Sequence, residues 1–213
     1  MTVTKTMVAM ACAVGLAATT ANALAAEREP AASASRTTSS TIAGVLQPVD
    51  LYDVFSARRV LSDVVPANGR FGLSACSGES TMRDYAGQDA DVTGAGFTVR
   101  AVGSGVRSSI SQNVAGVSDS AQALATYNSL VKEERSCQHE PAGHWRYGAA
   151  HTLSFQGGAA TWMRSFSGDS GTPDGGVIVA HRREQVTIVD ITPGVSAGQV
   201  RQLAMDAIAD LSA

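Results

Sequence analysis

The sequence has few of the residues on which metal sites and redox chemistry usually depend. It contains only 3 cysteines and 4 histidines among 213 residues. No cysteine pair forms a CxxC motif, and no two histidines have the i, i+4 spacing of helical metal ligands. Lysine occurs only at Lys5 and Lys132, neither of which lies in a phosphate-binding P-loop. The sequence therefore predicts neither a metal site nor a cofactor.

Charge is also sparse, at 16% of residues, with a formal net charge of -3. The basic residues are scattered, and Arg58-Arg59 and Arg182-Arg183 are the only adjacent pairs. No basic face for nucleic acid is predicted. The hydrophobic content of 44% suits one ordinary globular domain.

The sequence has no apolar run long enough to span a bilayer. The apolar run near the start, Met7 to Ala18, is too short to do so. Lys5 precedes this run, and Ala23-Leu24-Ala25 fits a signal-peptidase site, with Ala21-Asn22-Ala23 as the alternative. We therefore predict a signal peptide over residues 1–25, cleavage near Ala25 and secretion. Cys12 lies inside the apolar run rather than after it, which argues against a lipid anchor.

Residues 26–47 are rich in alanine, serine and threonine and are predicted to form a disordered leader. The remaining residues, 48–213, are predicted to form a single domain. After cleavage only Cys76 and Cys137 remain, and two cysteines in a secreted chain predict one disulfide.

The domain is organised around residues 106–137. Polar and apolar residues alternate up to Gly116, which predicts a strand, and Ser118 or Asp119 can then cap a helix. Leu124, Tyr127 and Val131 recur at helical spacing and predict its buried side.

The sequence of the rest of the domain predicts hairpins between helices. Hairpins rather than crossover helices predict an α+β domain whose largely antiparallel sheet has helices packed on one face. The predicted elements are one or two helices over residues 51–64, strands at 71–76 and 96–102, hairpins of 145–155 with 159–166 and of 176–181 with 185–191, and a last helix capped by Ser196.

Aromatic residues make up only 5% of the chain, yet several fall on the middle hairpin. Trp145 and Tyr147 lie on its first arm, and Trp162 and Arg164 on its second. Aromatic side chains with one arginine can line an apolar cleft with a polar anchor, so these four residues are the candidate ligand cleft. The alternative is that Trp162 and Phe166 pack beneath a helix.

Gly168-Asp169-Ser170-Gly171 matches the nucleophile signature of trypsin-like proteases, and Ala149-Ala150-His151 matches their histidine signature. Those enzymes place the two residues far apart in sequence, with the acid between them, whereas only 18 residues separate His151 from Ser170 here. A turn is the better explanation of the glycine-rich motif. His139, His144, His151 and His181 are interpreted as solvated loop or strand residues.

The run RSSISQNVAGVSDSAQALATYNSLVKEERSC and the ending GGVIVAHRREQVTIVDI with its following helix resemble the PknH-type extracellular sensor domain of actinobacterial receptor serine/threonine kinases. The resemblance covers roughly Leu51 to Ala213. It implies an α+β sandwich with a cleft for an extracellular ligand. The receptor-kinase members carry two disulfides, whereas only Cys76 and Cys137 are available here. No kinase or transmembrane segment is predicted in this sequence, so any signalling is expected to need a partner.

The sequence and the resemblance together favour a secreted, non-catalytic sensor-like domain that binds a small molecule or a cell-wall component. A serine hydrolase using Ser170 and His151 is one alternative. A structural or inhibitory protein acting through surface loops such as Ser167 to Gly175 is the other.

Overall fold

The computed structural model describes residues 43–66, 72–101, 107–141, 143–168 and 171–211. The predicted signal peptide, most of the predicted leader and the predicted turn at Gly103-Ser104-Gly105 lie outside these residues. The elements in chain order are α1 (Pro48–Phe55), β1 (Ala57–Pro66), α2 (Met82–Ala86), β2 (Asp91–Ala101), β3 (Arg107–Gly116), α3 (Ser120–Ser136), a 3₁₀ turn (Cys137–His139), β4 (Arg146–Tyr147), β5 (His151–Phe155), β6 (Gly158–Ser167), β7 (Thr172–Arg182), β8 (Gln185–Thr192) and α4 (Ala197–Asp210).

The described strands form one eight-stranded sheet in the order β1-β2-β3-β8-β7-β6-β4, and β5 also pairs with β6. Every pairing among them is antiparallel. The β7–β8 hairpin occupies the middle of the sheet, as the apolar character of both arms predicts. The predicted α+β class with an antiparallel sheet is confirmed.

Helices cover both faces of the sheet, which corrects the prediction of helices on one face. Ile178 and Ala180 of β7 face the core formed with α1 and α4, whereas Val177 and Val179 face the core formed with α2 and α3. Successive residues of a strand point to opposite faces. A strand that is apolar at every position therefore needs a cover on both faces, and the sequence of β7 already contained this signal.

The long helix α3 begins as predicted, because the Asp119 side chain accepts a hydrogen bond from the Gln122 backbone amide at 2.8 Å. Tyr127 and Val131 lie on its buried side as expected. Leu124, however, is 45% exposed. The buried stripe is displaced towards Ala123, Thr126 and Leu130, so the predicted stripe is wrong at this position.

The helices predicted over residues 51–64 are only half right. α1 ends at Phe55, and Ser56 adopts a left-handed conformation with φ of 46° that reverses the chain. Residues 57–66 then pair with β2 as an edge strand. The described part of the predicted strand at 71–76 is irregular and forms no strand. For residues 57–66 the pairing with β2 decides the conformation, since short apolar runs suit either type of element.

The predicted strand 145–155 is broken into β4 and β5. Tyr147 pairs with Ser165 and His151 with Trp162, so residues 148–150 oppose only two residues of β6. Gly148 lies at this irregularity, where an added Cβ would sit 2.7 Å from Cε2 of Phe166. One extra residue reverses the faces, so Tyr147 and Leu153 point in opposite directions despite their common parity in sequence.

The first described residues already belong to the core, although the sequence places them in the leader. Val45 and Leu46 are buried against the α1 and α4 side of the sheet. The buried Gln112 side chain accepts a hydrogen bond from the Leu46 amide at 2.9 Å and donates to the Gly44 carbonyl at 3.0 Å. These two hydrogen bonds attach the segment before α1 to β3 in the interior of the sheet.

Candidate functional site

The four residues of the predicted cleft divide between the two faces of the sheet. Tyr147 and Trp145 lie on the α3 face, with their rings 4.6 Å apart. Trp162 lies on the α4 face, where it stacks on His151 at 4.3 Å. Arg164 donates a hydrogen bond from Nη2 to the Val195 carbonyl at 2.9 Å and lies over the Phe166 ring. The structure therefore does not bring the four side chains together.

Cys76 and Cys137 form the expected disulfide, with their Cα atoms 6.0 Å apart. The bond attaches the irregular segment before α2 to the residue that ends α3. It closes a sequence separation of 61 residues. The C-terminal end of α3 is therefore fixed to a second segment of the chain.

Glu134 lies fully buried in the last turn of α3, beside this disulfide. Its Oε1 accepts a hydrogen bond from the Ser74 hydroxyl at 2.7 Å, and its Oε2 has no hydrogen-bond partner among the described residues. Burial raises the pKa of Glu134 to about 7, the Ser74 hydroxyl opposes this rise, and the Asp190 charge adds to it. The sequence could have indicated the burial of Glu134, because this residue follows Tyr127 and Val131 at helical spacing and therefore lies on the same side of the helix.

Asp190 and Tyr147 complete the buried acid cluster, which comprises Glu134, Asp190, Tyr147 and Ser74. Burial, and then the charge of Asp174, raises the pKa of Asp190 to about 7. Burial also raises the pKa of Tyr147, and the neighbouring Glu134 and Asp190 charges add to this effect. The Tyr147 hydroxyl is outside hydrogen-bond geometry to these neighbours. Among the described residues, no group of three or more His, Cys, Asp or Glu is arranged to hold a metal ion.

Beside this cluster, part of the α3 face is not covered by a helix. α3 packs on β7 and β8, and α2 packs on β3. Phe97 and Val99 of β2 face the opposite core, so Thr98 and Arg100 must point to the α3 side. We call this surface the open half of the sheet. Its exposed residues are Arg59, Leu61, Thr98, Arg100, Arg107 and Ser109.

The open half continues towards the buried acid cluster. Ser111 follows Ser109 on the same side of β3 and is half-buried. It lies opposite Asp190 of β8 in the sheet. The α3 face of the sheet is thus exposed and basic at the arginines of the outer strands, and buried and acidic at Glu134 and Asp190 under α3. The small polar residues Ser109 and Ser111 lie between these two parts. A ligand that lay across β2 and β3 would contact Thr98, Ser109 and Ser111.

A second concave surface lies at the other end of α3. This groove has a volume of about 560 Å³ and is lined by residues 86–91, 116–118 and Gln122. Asp89 and Asp91 are exposed there. The Gln122 side chain donates a hydrogen bond to the Ala86 carbonyl at 2.8 Å, which holds α2 against α3.

Of the serine–histidine pair in the hydrolase alternative, only His151 lies within the described residues. Asp169 and Ser170 lie outside the described residues. His151 is exposed on β5 and stacks on Trp162. Of the other histidines, His144 lies 3.6 Å from Glu140, whereas burial lowers the pKa of His181.

No protein-family model matches the sequence, and no curated protein matches it. Among solved structures, the crystal structure of the extracellular domain of PknH from Mycobacterium tuberculosis is similar, with a TM-score of 0.51 and 12% identity. The match covers 79% of this chain and 92% of that chain. A second structure, an uncharacterised protein of Mycobacterium smegmatis that is the ortholog of Rv0999, has a TM-score of 0.33 and 9% identity over 79% of this chain and 98% of that one.

The likeness to the PknH extracellular domain shows a distant relationship of fold. The chain is therefore an α+β domain with the architecture of that extracellular domain, an antiparallel sheet with helices. At 12% identity no residue of that protein can be matched to a site residue here. Among the described residues, no helix is both long enough and apolar enough to cross a membrane.

Proposed function

We propose that the chain is exported and acts as a non-catalytic, sensor-like domain that binds an extracellular ligand. The fold likeness to an extracellular domain and the Cys76–Cys137 disulfide both support an oxidising location outside the cytoplasm. The predicted signal peptide at residues 1–25 supports the same location. The ligand is a small molecule or a cell-wall component.

One observation carries the assignment of a binding function, namely the open half of the sheet. A β-sheet face in a domain of this class is normally covered by helices, as β7 is by α3 on one face and by α4 on the other. Here the outer strands present an exposed surface of arginine, threonine and serine instead. Because all of its exposed side chains except Leu61 are polar, the surface tolerates water in the absence of ligand and offers hydrogen-bonding groups to a ligand.

A ligand screen by thermal shift tests this proposal with a matched pair of variants. Cell-wall fragments, lipids and metabolites are added to the wild-type protein, since binding to the native state alone raises the melting temperature. Ser109→Trp fills the floor of the open half, and Ser154→Trp places the same side chain on exposed β5. We expect the active compound to stabilise the wild type and Ser154→Trp but not Ser109→Trp.

Two results would contradict the proposal. Equal stabilisation of both variants would place the ligand away from the open half. The absence of any stabilising compound in the three classes would argue against a binding function for this domain.

A further inference from the structure

Three arginines lie side by side across the open half. Arg59 of β1 is directly opposite Arg100 of β2, and Arg100 is directly opposite Arg107 of β3. All three are exposed and on the same face of the sheet. Since neighbouring strands are about 4.8 Å apart, the three Cα atoms span about 10 Å. We call these three residues the arginine ladder.

The ladder is electrostatically unfavourable in the isolated protein. Like charges directly opposite on neighbouring strands are destabilising. No carboxylate among the described residues forms an ion pair with any of the three arginines. The ion pair that the described residues do contain joins Glu140 to His144, neither of which belongs to the ladder. Asp190 lies one strand beyond β3, opposite Ser111, which is four residues or about 13 Å along the strand from Arg107. An anion bound across the strands would relieve this repulsion.

The side chains around the ladder define the kind of anion. A shallow depression of about 180 Å³ is lined by the ladder together with Leu61 and Thr98. Each guanidinium presents a planar fork of donors that matches the oxygens of phosphate or carboxylate. A carboxylate has two oxygens on one edge and suits one fork. A phosphate has oxygens on several sides and can bridge neighbouring guanidinium groups.

We propose that the arginine ladder binds a soluble anion that carries two or more phosphate groups. The proposal rests on the proposed function, because it names the ligand class of the open half. Three positive charges across about 10 Å match linked phosphate groups better than a single one. The depression contains no aromatic side chain on which a nucleobase could stack, which argues against single-stranded nucleic acid.

Tripolyphosphate is a suitable probe, and citrate is the control anion with three carboxylates. Binding is measured by titration calorimetry with the full mature chain at low and at high salt. We expect tripolyphosphate to bind the wild type at least tenfold more tightly than citrate. We also expect affinity to fall as salt rises, since these exposed charges are screened.

Variants locate the site on the ladder. Arg100→Gln removes the central charge, and Arg146→Gln removes another exposed arginine, on β4, so the net charge of the two variants is the same. We expect Arg100→Gln to weaken tripolyphosphate binding at least tenfold and Arg146→Gln to change it less than twofold. Arg100→Lys keeps the charge but loses the fork, so its affinity is expected to fall between those of the wild type and Arg100→Gln.

Folding is monitored independently by the melting temperature without ligand. Arg100→Gln relieves like-charge repulsion, so this temperature is expected to equal or exceed that of the wild type. A folded Arg100→Gln protein that binds tripolyphosphate as well as the wild type overturns the proposal. Citrate binding of equal strength overturns the preference for phosphate. Equal or tighter binding of a single-stranded oligonucleotide, or binding to anionic lipid vesicles alone, overturns the ligand class.

Failure of this proposal is distinguishable from failure of the proposed function. If tripolyphosphate does not bind but another compound stabilises the protein in a manner that Ser109→Trp abolishes, the ladder is not the site and the binding function stands. If tripolyphosphate binds and Arg100→Gln abolishes binding, both stand.

Discussion

Glu134 lies in an environment that its charged side chain does not prefer. It ends the buried side of α3 with no solvent access and with one carboxylate oxygen that lacks a described partner. A carboxyl group in such a position is more readily protonated, as its pKa of about 7 shows. Asp190, with a pKa also near 7, lies close enough to interact with it.

The raised pKa of Glu134 predicts a stability that falls as pH rises. The native state holds the proton up to about pH 7, whereas the unfolded chain releases it near 4.5. The unfolding free energy therefore decreases between these values and has lost about 3 kcal/mol above pH 7. Glu134→Gln cannot ionise, so we expect it to be more stable than the wild type at pH 8 and nearly equal at pH 4.

Urea denaturation at a series of pH values measures this effect. The remaining pH dependence in Glu134→Gln is expected to come from groups such as Asp190. Glu184→Gln, in the exposed β7–β8 turn, provides the matched control and should follow the wild-type curve. A stability that rises from pH 5 to pH 7 in the wild type but not in Glu134→Gln would contradict the assignment.

At the scale of elements, α3 is held at both ends. Its first turn is capped by Asp119, and its last residue precedes Cys137, which is bonded to Cys76. The segment around Cys76 also carries Ser74, the donor to Glu134. The disulfide thus keeps a hydrogen-bonding group in place over the buried acid cluster.

Loss of the disulfide is expected to reduce the unfolding free energy by about 4 kcal/mol, because the unfolded chain gains the entropy of an open loop of this length. The measurement compares urea denaturation with and without a thiol reductant. The double variant Cys76→Ser/Cys137→Ser should match the reduced wild type and should not respond to reductant. Identical curves for oxidised and reduced wild type would show that the bond contributes no stability.

The division of the middle hairpin into β4 and β5 also belongs to this scale. The irregularity at Gly148 sends Tyr147 into the α3 core and Leu153 towards the α4 core. Trp162 then packs on the α4 side, in agreement with the alternative that it lies beneath a helix. The four aromatic and arginine residues predicted to share a cleft are thus separated by a one-residue change of register.

At the scale of the whole molecule, the described residues show an asymmetric sheet. Its β7–β8 centre is buried on both faces. Its β1–β3 side is covered by α1 on one face, whereas on the other face α2 packs on β3 and the part around Arg100 is exposed. This asymmetry leaves room for a ligand without interrupting either core. The likeness to the PknH extracellular domain is a likeness of this architecture and not of particular residues.

The proposed non-catalytic function predicts no reaction with mechanism-based probes for serine hydrolases. We expect a fluorophosphonate probe to leave the purified protein unlabelled, because a nucleophilic serine needs an oriented base and His151 is instead stacked on Trp162. Gel fluorescence checks this, with trypsin as a positive control in the same reaction. Labelling that disappears in Ser170→Ala would reverse the conclusion and support the hydrolase alternative.

Local patterns predicted much of the secondary structure. Asp119 at the start of α3, the Ser196–Gln199 capping box of α4 and the apolar β7–β8 hairpin are each determined by neighbours in the chain. These features depend on hydrogen bonds and spacing within a few residues, so they can be read from the sequence.

The candidate site could not be predicted in the same way. Arg59, Arg100 and Arg107 are distant in sequence and meet only because β1, β2 and β3 pair in one particular register. The two cysteines outside the predicted signal peptide determine the disulfide partners by themselves, but the burial of Glu134 beside that disulfide depends on how α3 lies on β8. Sequence by itself determined the covalent link and the elements whose caps and turns are local, such as α3, α4 and the β7–β8 hairpin. The tertiary structure decided which faces are covered and which charges become neighbours, because burial and proximity arise only from contacts between distant segments.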